Sequence, residues 1–389
     1  MILAMPAICA STTPISILSI LTVPRRATVA ALILTLFLIP FILLCMPAAI
    51  AQSEPMAPPD TSAKAVAGAY TIEDIGPLVT IAGDVTVSLN RNGVVSYWTQ
   101  TNGAVHAAIW KDGRTTVIAN MPGYPNSVAH AINQSGDIAG WMNTSGNLVD
   151  SSSTTRGFLR RDQRIEIVPG LGGREGRVFG LNDKGVAVGG ALTADGARHA
   201  FVFSDLRITD LGTLPSGKSS TAYAINNHGI VVGAADVDSK ANHAVSWSQG
   251  RILDLGTLPH GATSSARAIN DRGQIAGFSD SADGIHAFLY SRGAMLDLDT
   301  LGKDPSEASA LNNHGDVVGA SNISGAKRHA FLWHKGRMTD LNNYLPQGSQ
   351  WVLLKPFGIN DRGQIVCSAS SPSAALHLLL LTPRSKVRQ

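Results

Sequence analysis

The chain has 389 residues, of which 44% are apolar and only 15% charged, with 39 glycines and a formal net charge of +3. Apolar content this high at so low a net charge excludes a disordered chain, and sparse charge with abundant glycine points away from helical bundles and toward turn-rich β-structure. The 31 basic residues are nearly balanced by 28 acidic ones and scattered along the chain, which excludes the clustered basic surface that binding to a phosphate backbone requires, so no nucleic-acid partner is expected.

Residues 1–51 contain no acidic residue, carry Arg25 and Arg26, and run almost wholly apolar from Ala27 to Ala51. A basic leader, an apolar stretch and the small-x-small site Ala49-Ile50-Ala51 read as a signal peptide cleaved before Gln52. The competing reading is an N-terminal membrane anchor, because the apolar stretch is long enough to span a bilayer; Pro40 and Pro47 weigh against it. Residues 52–69 read as a flexible linker. Cleavage would leave Cys367 as the sole cysteine, so no internal disulfide could form and stability must come from a large core.

From residue 70 onward one unit recurs. Its clearest form is Ala224-Ile225-Asn226-Asn227-His228-Gly229-Ile230-Val231-Val232-Gly233, a polar loop, His243-Ala244-Val245-Ser246-Trp247, Gly250, and then Asp254-Leu255-Gly256-Thr257-Leu258-Pro259. The first asparagine returns at Asn90, Asn133, Asn182, Asn226, Asn270, Asn312 and Asn360, at intervals of 42 to 49 residues, and a glycine follows three positions after each. A histidine stands 16 or 17 residues beyond the asparagine at His106, His199, His243, His286, His329 and His377; the second copy has Arg156-Gly157-Phe158 instead.

Each unit contains four strand signals. The first strand ends at the asparagine, whose side chain favours a tight turn closed by glycine at positive φ. The second ends in a polar loop, the third is the histidine run, and a turn such as Lys335-Gly336 returns the chain as the fourth. Several strands are apolar at consecutive positions, so both faces must be covered. Four strands in about 44 residues, stacked face to face around an axis, predict a propeller blade. The seventh copy lacks its fourth strand, and Tyr70–Leu78 is an orphan fourth strand ahead of the first copy. The expected fold is therefore all-β, a seven-bladed β-propeller over 70–381, closed by the N-terminal strand pairing with the last blade. Residues 382–389 remain as a basic tail.

His-Ala-Phe at 199–201, 286–288 and 329–331, together with Asp-Leu-Gly-Thr-Leu at 210–214 and 254–258, resembles the HAF family of bacterial extracellular repeat proteins. That resemblance covers about four fifths of the chain. It implies export and repeat architecture, hence a secreted, periplasmic or envelope location in a bacterium, and it implies no reaction.

The repeated histidines do not form a catalytic or metal cluster. Equivalent third strands in adjacent blades would stand on the order of 10–15 Å apart, whereas metal ligands converge within about 2.2 Å of one ion. Counting across the hairpin pairs Phe331 with Asp340 and sets His329 beside Asp340, and the spacing of 11 recurs at His199–Asp210, His243–Asp254 and His286–Asp297. Ring closure would bring Asp74 to His377. These pairs are expected to satisfy buried polar groups. His106 faces Val117 where the acid is missing, and Cys367 replaces a recurrent glycine as a buried small residue.

Only five glutamates exist, many aspartates sit at repeat turns, and no nucleophile or phosphate-loop motif is present. No catalytic residue, cofactor or metal is expected. Trp98, Trp110, Trp247 and Trp333 read as core. Binding is expected on loops joining a fourth strand to the next first strand, including Gly172–Arg177 and Asn342–Trp351. The candidates are Trp141, Arg174, Glu175, Lys218, His260, Lys303 and Trp351. The functional expectation is an exported, non-enzymatic interaction protein that recognises a protein or glycan. The alternatives are a secreted enzyme acting on a polysaccharide and a membrane-anchored scaffold.

Overall fold

Short β-prone runs separated by residue pairs that accept positive φ can only meander. The run Ser220–Ile225, Val231–Asp236, Asn242–Ser248 and Arg251–Gly256 does so as one antiparallel sheet, with Val231 opposite Trp247 and Trp247 opposite Ile252. Gln249 and Gly250 turn the last hairpin at φ 51° and 73°, the mirror-image turn whose twist matches that of the flanking strands. This is seen in a computed structural model, which describes residues 68–79, 85–118, 122–145, 153–324, 327–373 and 375–384. The signal peptide expected over 1–51, nearly all of the linker, and most of the basic tail lie outside the described residues. Among the described residues no helix is long and apolar enough to cross a membrane.

The fold is all-β, with the single 3-10 turn Leu341–Tyr344 as the one helical element described. Five sheets of four strands stand alone. A further eight-stranded sheet holds two such meanders, joined where Glu175 lies opposite Thr155 in a single parallel contact. The orphan strand Tyr70–Pro77 pairs antiparallel with Leu376–Pro383, setting Ile72 opposite Leu381 and Asp74 opposite Leu379. It completes the sheet of Val352–Ile359 and Ile365–Ser370 as its outer, fourth strand.

Sheets stack face to face into a β-propeller, and the core lies between them. Val188, Ala200 and Leu214 of one sheet pack with Ala222, Val231 and Trp247 of the next. Alternate residues of a strand face opposite sides, so Ala330 and Phe331 are both fully buried, against different neighbours. Trp98, Trp110, Trp247 and Trp333 are core residues as expected, at most 7% exposed.

The turn asparagine does more than turn the chain. Asn226 Oδ1 accepts the backbone N–H groups of His228 and Ile230, at 3.1 and 2.9 Å, which leaves its amide free to donate outward. Nδ2 donates to the backbone carbonyl of Asn270 at 3.1 Å. The same bond runs from Asn90 to Asn133, Asn133 to Asn182, Asn182 to Asn226, Asn270 to Asn312, Asn312 to Asn360, and from Asn360 back to Asn90. All seven asparagines are at most 4% exposed.

A second repeated constraint lies one strand out. A Cβ at Gly233 would sit 1.9 Å from the carbonyl oxygen of Thr221, and Gly140, Gly189, Gly277 and Gly319 meet the matching carbonyl at 1.9 to 2.1 Å. In these five repeats the first and second strands thus approach too closely for a side chain. In the closing sheet Cys367 stands there, fully buried, and burial pushes its thiol far up, so it is a packing residue.

Asn226→Ala would strand the Asn270 carbonyl and two turn amides. A buried group left without its partner costs ~1–3 kcal/mol, so a loss of about 2–4 kcal/mol in unfolding free energy is expected by urea denaturation. A loss below about 0.5 kcal/mol, within the range of an ordinary surface substitution, would remove the ring from the account of stability.

Candidate functional site

Along each first strand the positions one and three before the asparagine line the axial cavities, and several of those five before it do so too. The middle one is special. In six first strands the ladder skips a residue, between Ala129 and Ala131, Val178 and Gly180, Ala222 and Ala224, Ala266 and Ala268, Ala308 and Ala310, and Pro356 and Gly358. The residues left out are His130, Phe179, Tyr223, Arg267, Ser309 and Phe357. A β-bulge bends its strand and re-aims the extra side chain, and all six of these side chains line one axial basin of about 430 Å³.

The basin wall is an arc of stacked groups. The rings of His130 and Phe179 meet edge to face at 5.1 Å, and those of Phe179 and Tyr223 are tilted at 5.8 Å. The Arg267 guanidinium lies 4.2 Å from the Tyr223 ring and 5.1 Å from Phe278. Such contacts are worth roughly 0.5–1 kcal/mol each at exposed sites and more when desolvated. Arg177 lies 4.7 Å over the Trp141 ring and is paired with Glu175 at 3.0 Å.

His130 is held neutral. Trp141 Nε1 donates to His130 Nε2 at 2.9 Å, occupying the nitrogen that a proton would need. Burial, and then the positive charge of Arg177, push its pKa down to about 3. The one carboxylate in the basin wall, Glu307, is engaged by Arg328 at 2.7 Å.

Toward the other mouth the axis narrows. Leu89, Ile132, Leu181, Ile225, Ile269, Leu311 and Ile359 form an aliphatic collar, and with the asparagines they line a cavity of about 180 Å³. Beyond it the next residues interlock. Asn227 N donates to Asp271 Oδ1 at 2.9 Å, Asp271 N to Asn313 at 2.9 Å, and Asn313 N to Asp361 at 2.8 Å. Arg91 closes the set, 3.0 Å from Asp361 and 3.6 Å from Asp271. Burial alone would raise the Asp361 pKa, but the Asn313 hydrogen bonds and the Arg91 charge outweigh it and lower it.

None of the seven loop candidates lines the basin. Trp141 is a strand residue of Ile138–Asn143, 6% exposed, and acts through His130 and Arg177. Arg174 and Glu175 lie inside the strand Gly172–Leu181 and Lys303 inside Lys303–Leu311, because these two first strands extend backward into the segments expected to be loops. Glu175 is spent on Arg177 and Arg198. Lys218 and His260 are exposed, in loops away from the basin. Trp351 stacks on His377 at 5.1 Å and belongs to the ring closure. The insert Asn143–Thr155 lies partly outside the described residues.

The His–Asp pairs form as the spacing predicts: His199–Asp210 at 2.8 Å, His243–Asp254 at 2.9 Å, His286–Asp297 at 2.8 Å, His329–Asp340 at 2.6 Å and His377–Asp74 at 2.9 Å. Their setting differs from expectation. Four of the five aspartates are 39 to 43% exposed, because the fourth strand is the outer edge of its sheet. Lacking its acid, His106 has a buried Nδ1 with no partner, and Arg156 of the second copy instead donates to the carbonyls of Thr155 and Arg174. Among the described residues no group of three His, Cys, Asp or Glu side chains could hold a metal.

The bulged residues were legible in principle. Each stands three before the asparagine, where the copies differ, and four of the six lie between two alanines.

Two predictions test the outer pairs. A double-mutant cycle on His329→Gln and Asp340→Asn should give a coupling of ~1 kcal/mol in unfolding free energy. At His286, burial alone would lower the pKa, but the hydrogen bonds and charges of Asp297 and Asp304 outweigh it and raise it above the ordinary 6.5. The stabilisation is then fully present below that value and is lost as pH rises through the folded pKa. The urea-unfolding penalty of His286→Gln should accordingly be larger at about pH 5.5 than at about pH 9, and equal penalties would dismiss the charged clamp.

No known family's sequence profile matches the chain, and no curated protein matches it. Among solved structures, it is similar to TolB from Acinetobacter baumannii at 12% identity, over 74% of this chain and 63% of that one, with a TM-score of 0.42. The chain thus spans less than two thirds of TolB. The β-propeller domain of the Trilobed protease from Pyrococcus furiosus is 9% identical over 78% of this chain and 99% of its own, with a TM-score of 0.48. YCF48 bound to D1 peptide is 10% identical over 83% of this chain and 100% of its own, with a TM-score of 0.46.

Proposed function

We propose that the chain is an exported seven-bladed propeller of the HAF type. It binds a protein or glycan in its axial basin and performs no reaction on it. The circuit of asparagine bonds, which returns from Asn360 to Asn90 after seven links, supports the blade count. The leader before Gln52 supports export.

One observation carries the binding reading. Six equivalent bulges hold His130, Phe179, Tyr223, Arg267, Ser309 and Phe357, six positions with five residue types, and they line the basin together with Arg177, Glu307 and Lys355 from the equally varied position two residues earlier, while the collar stays Leu or Ile. Sites that differ among copies of a repeat are released from the architecture, and a concave, aromatic-lined set with a few polar groups is the common form of a ligand site. Against catalysis stand the engaged states of its titratable groups. Glu307 is paired with Arg328 and His130 is pinned neutral by Trp141, so neither is poised to move a proton.

Recognition by the basin, not the loops, is tested by probing the purified protein against arrayed glycans and envelope proteins. Phe179→Ala with Tyr223→Ala should weaken a captured ligand by at least about tenfold, while Lys218→Ala with His260→Ala leaves it unchanged. The reverse pattern would return recognition to the loops.

A further inference from the structure

Resting on the binding reading above, we infer that the basin's ligand is an acidic sugar, the uronate residue of a glycan, whose carboxylate docks on Arg267. A second cavity of about 270 Å³ shares Tyr223, Arg267 and Phe278 with the axial basin, so Arg267 stands where the two spaces join.

Among the arginines the charge balance singles out this one. Arg177 has Glu175 at 3.0 Å, Arg198 has Glu175 at 2.9 Å and Arg328 has Glu307 at 2.7 Å. Arg267 is half-buried between two rings, and no carboxylate among the described residues comes within ion-pair distance of it. Ring faces stabilise a cation but accept no N–H bond in its plane, so the guanidinium fork keeps donors to offer. A planar carboxylate is the anion that fits that fork with two parallel bonds.

An independent observation points to hydroxyls on the rest of the ligand. Ser265, two residues before Arg267 and lining the second cavity, is 3% exposed, and its Oγ has no hydrogen-bond partner. Buried polar atoms are nearly always satisfied, and an exception asks for a missing partner. Thr221 and Thr263 line the same space and make no side-chain hydrogen bond among the described residues. A pyranose uronate carries its carboxylate and several hydroxyls on one ring, so a single unit can meet Arg267 and these hydroxyls while its C–H face lies on Tyr223 or Phe278. An acidic peptide offers the carboxylate without the neighbouring hydroxyls.

The probes are trigalacturonate, trimannuronate, the methyl ester of each, and triglutamate, titrated calorimetrically into the purified protein. At least one uronate trimer should bind about tenfold or more tightly than its ester. Arg267→Gln and Arg267→Lys should both weaken it about tenfold, since an ammonium cannot supply the fork. Ser265→Ala should weaken it about threefold, within the range of one hydrogen bond. Thermal unfolding of each variant checks that the fold is kept, and Lys218→Ala should bind as the parent does. Equal binding of acid and ester, unchanged binding by Arg267→Gln, triglutamate binding as tightly as the uronates, or no uronate binding at all would each overturn the inference. If another ligand is still lost on Phe179→Ala with Tyr223→Ala, the acidic-sugar assignment falls and the binding function stands. If no ligand depends on those two rings, both fall.

Discussion

A primary amide can accept with its oxygen and donate with its nitrogen at once, and this propeller is organised by that fact. Each turn asparagine uses its oxygen on the amides of its own turn and its nitrogen on the next repeat's carbonyl, as Asn226 does with His228, Ile230 and Asn270. The same group shapes a local turn and sets the distance to its neighbour. Neither aspartate nor serine offers both halves of that geometry. Because the circuit returns from Asn360 to Asn90, the first and last repeats are tied at the axis as well as by the strand pairing of Tyr70–Pro77 with Leu376–Pro383 at the rim.

Order on the axis follows from strand periodicity. Once the asparagine is buried at the end of a first strand, the preceding inward positions form tiers: an aliphatic collar, then the bulged side chains, then Arg177, Glu307 and Lys355. The collar is uniform because it must fill a narrow throat. The bulged tier sits where the space widens, so it is free of that demand. A small residue follows each bulged one, as at Gly180, where a Cβ would lie 3.0 Å from the adjacent first strand.

Much of the architecture was readable before any coordinates. Strand content, the closing strand, the Phe331–Asp340 register and five His–Asp pairs all follow from spacing, because hairpin geometry converts a count of residues into a cross-strand partner. The axial basin did not follow. A bulge changes which residue faces where without changing the hydrophobic pattern that periodicity detects, so the variable position three before each asparagine looked like ordinary strand. Loops were favoured because loops usually carry recognition, yet Arg174, Glu175 and Lys303 turned out to be strand residues, and Trp141 a buried support for His130 and Arg177. The asparagine's second role was hidden for a related reason: sequence shows the turn an asparagine makes with its own chain and not the repeat that lies beside it.

The bulge separates chemistry from scaffold. Six side chains converge on one cup while contributing nothing to the ladder that holds them, which makes the molecule a natural chassis for diversification. A library randomised at those six positions alone would leave the asparagine circuit and the aliphatic collar in place. Selection from it could retarget the cup to new ligands much as loop grafting retargets an antibody, but from rigid strands instead of flexible segments.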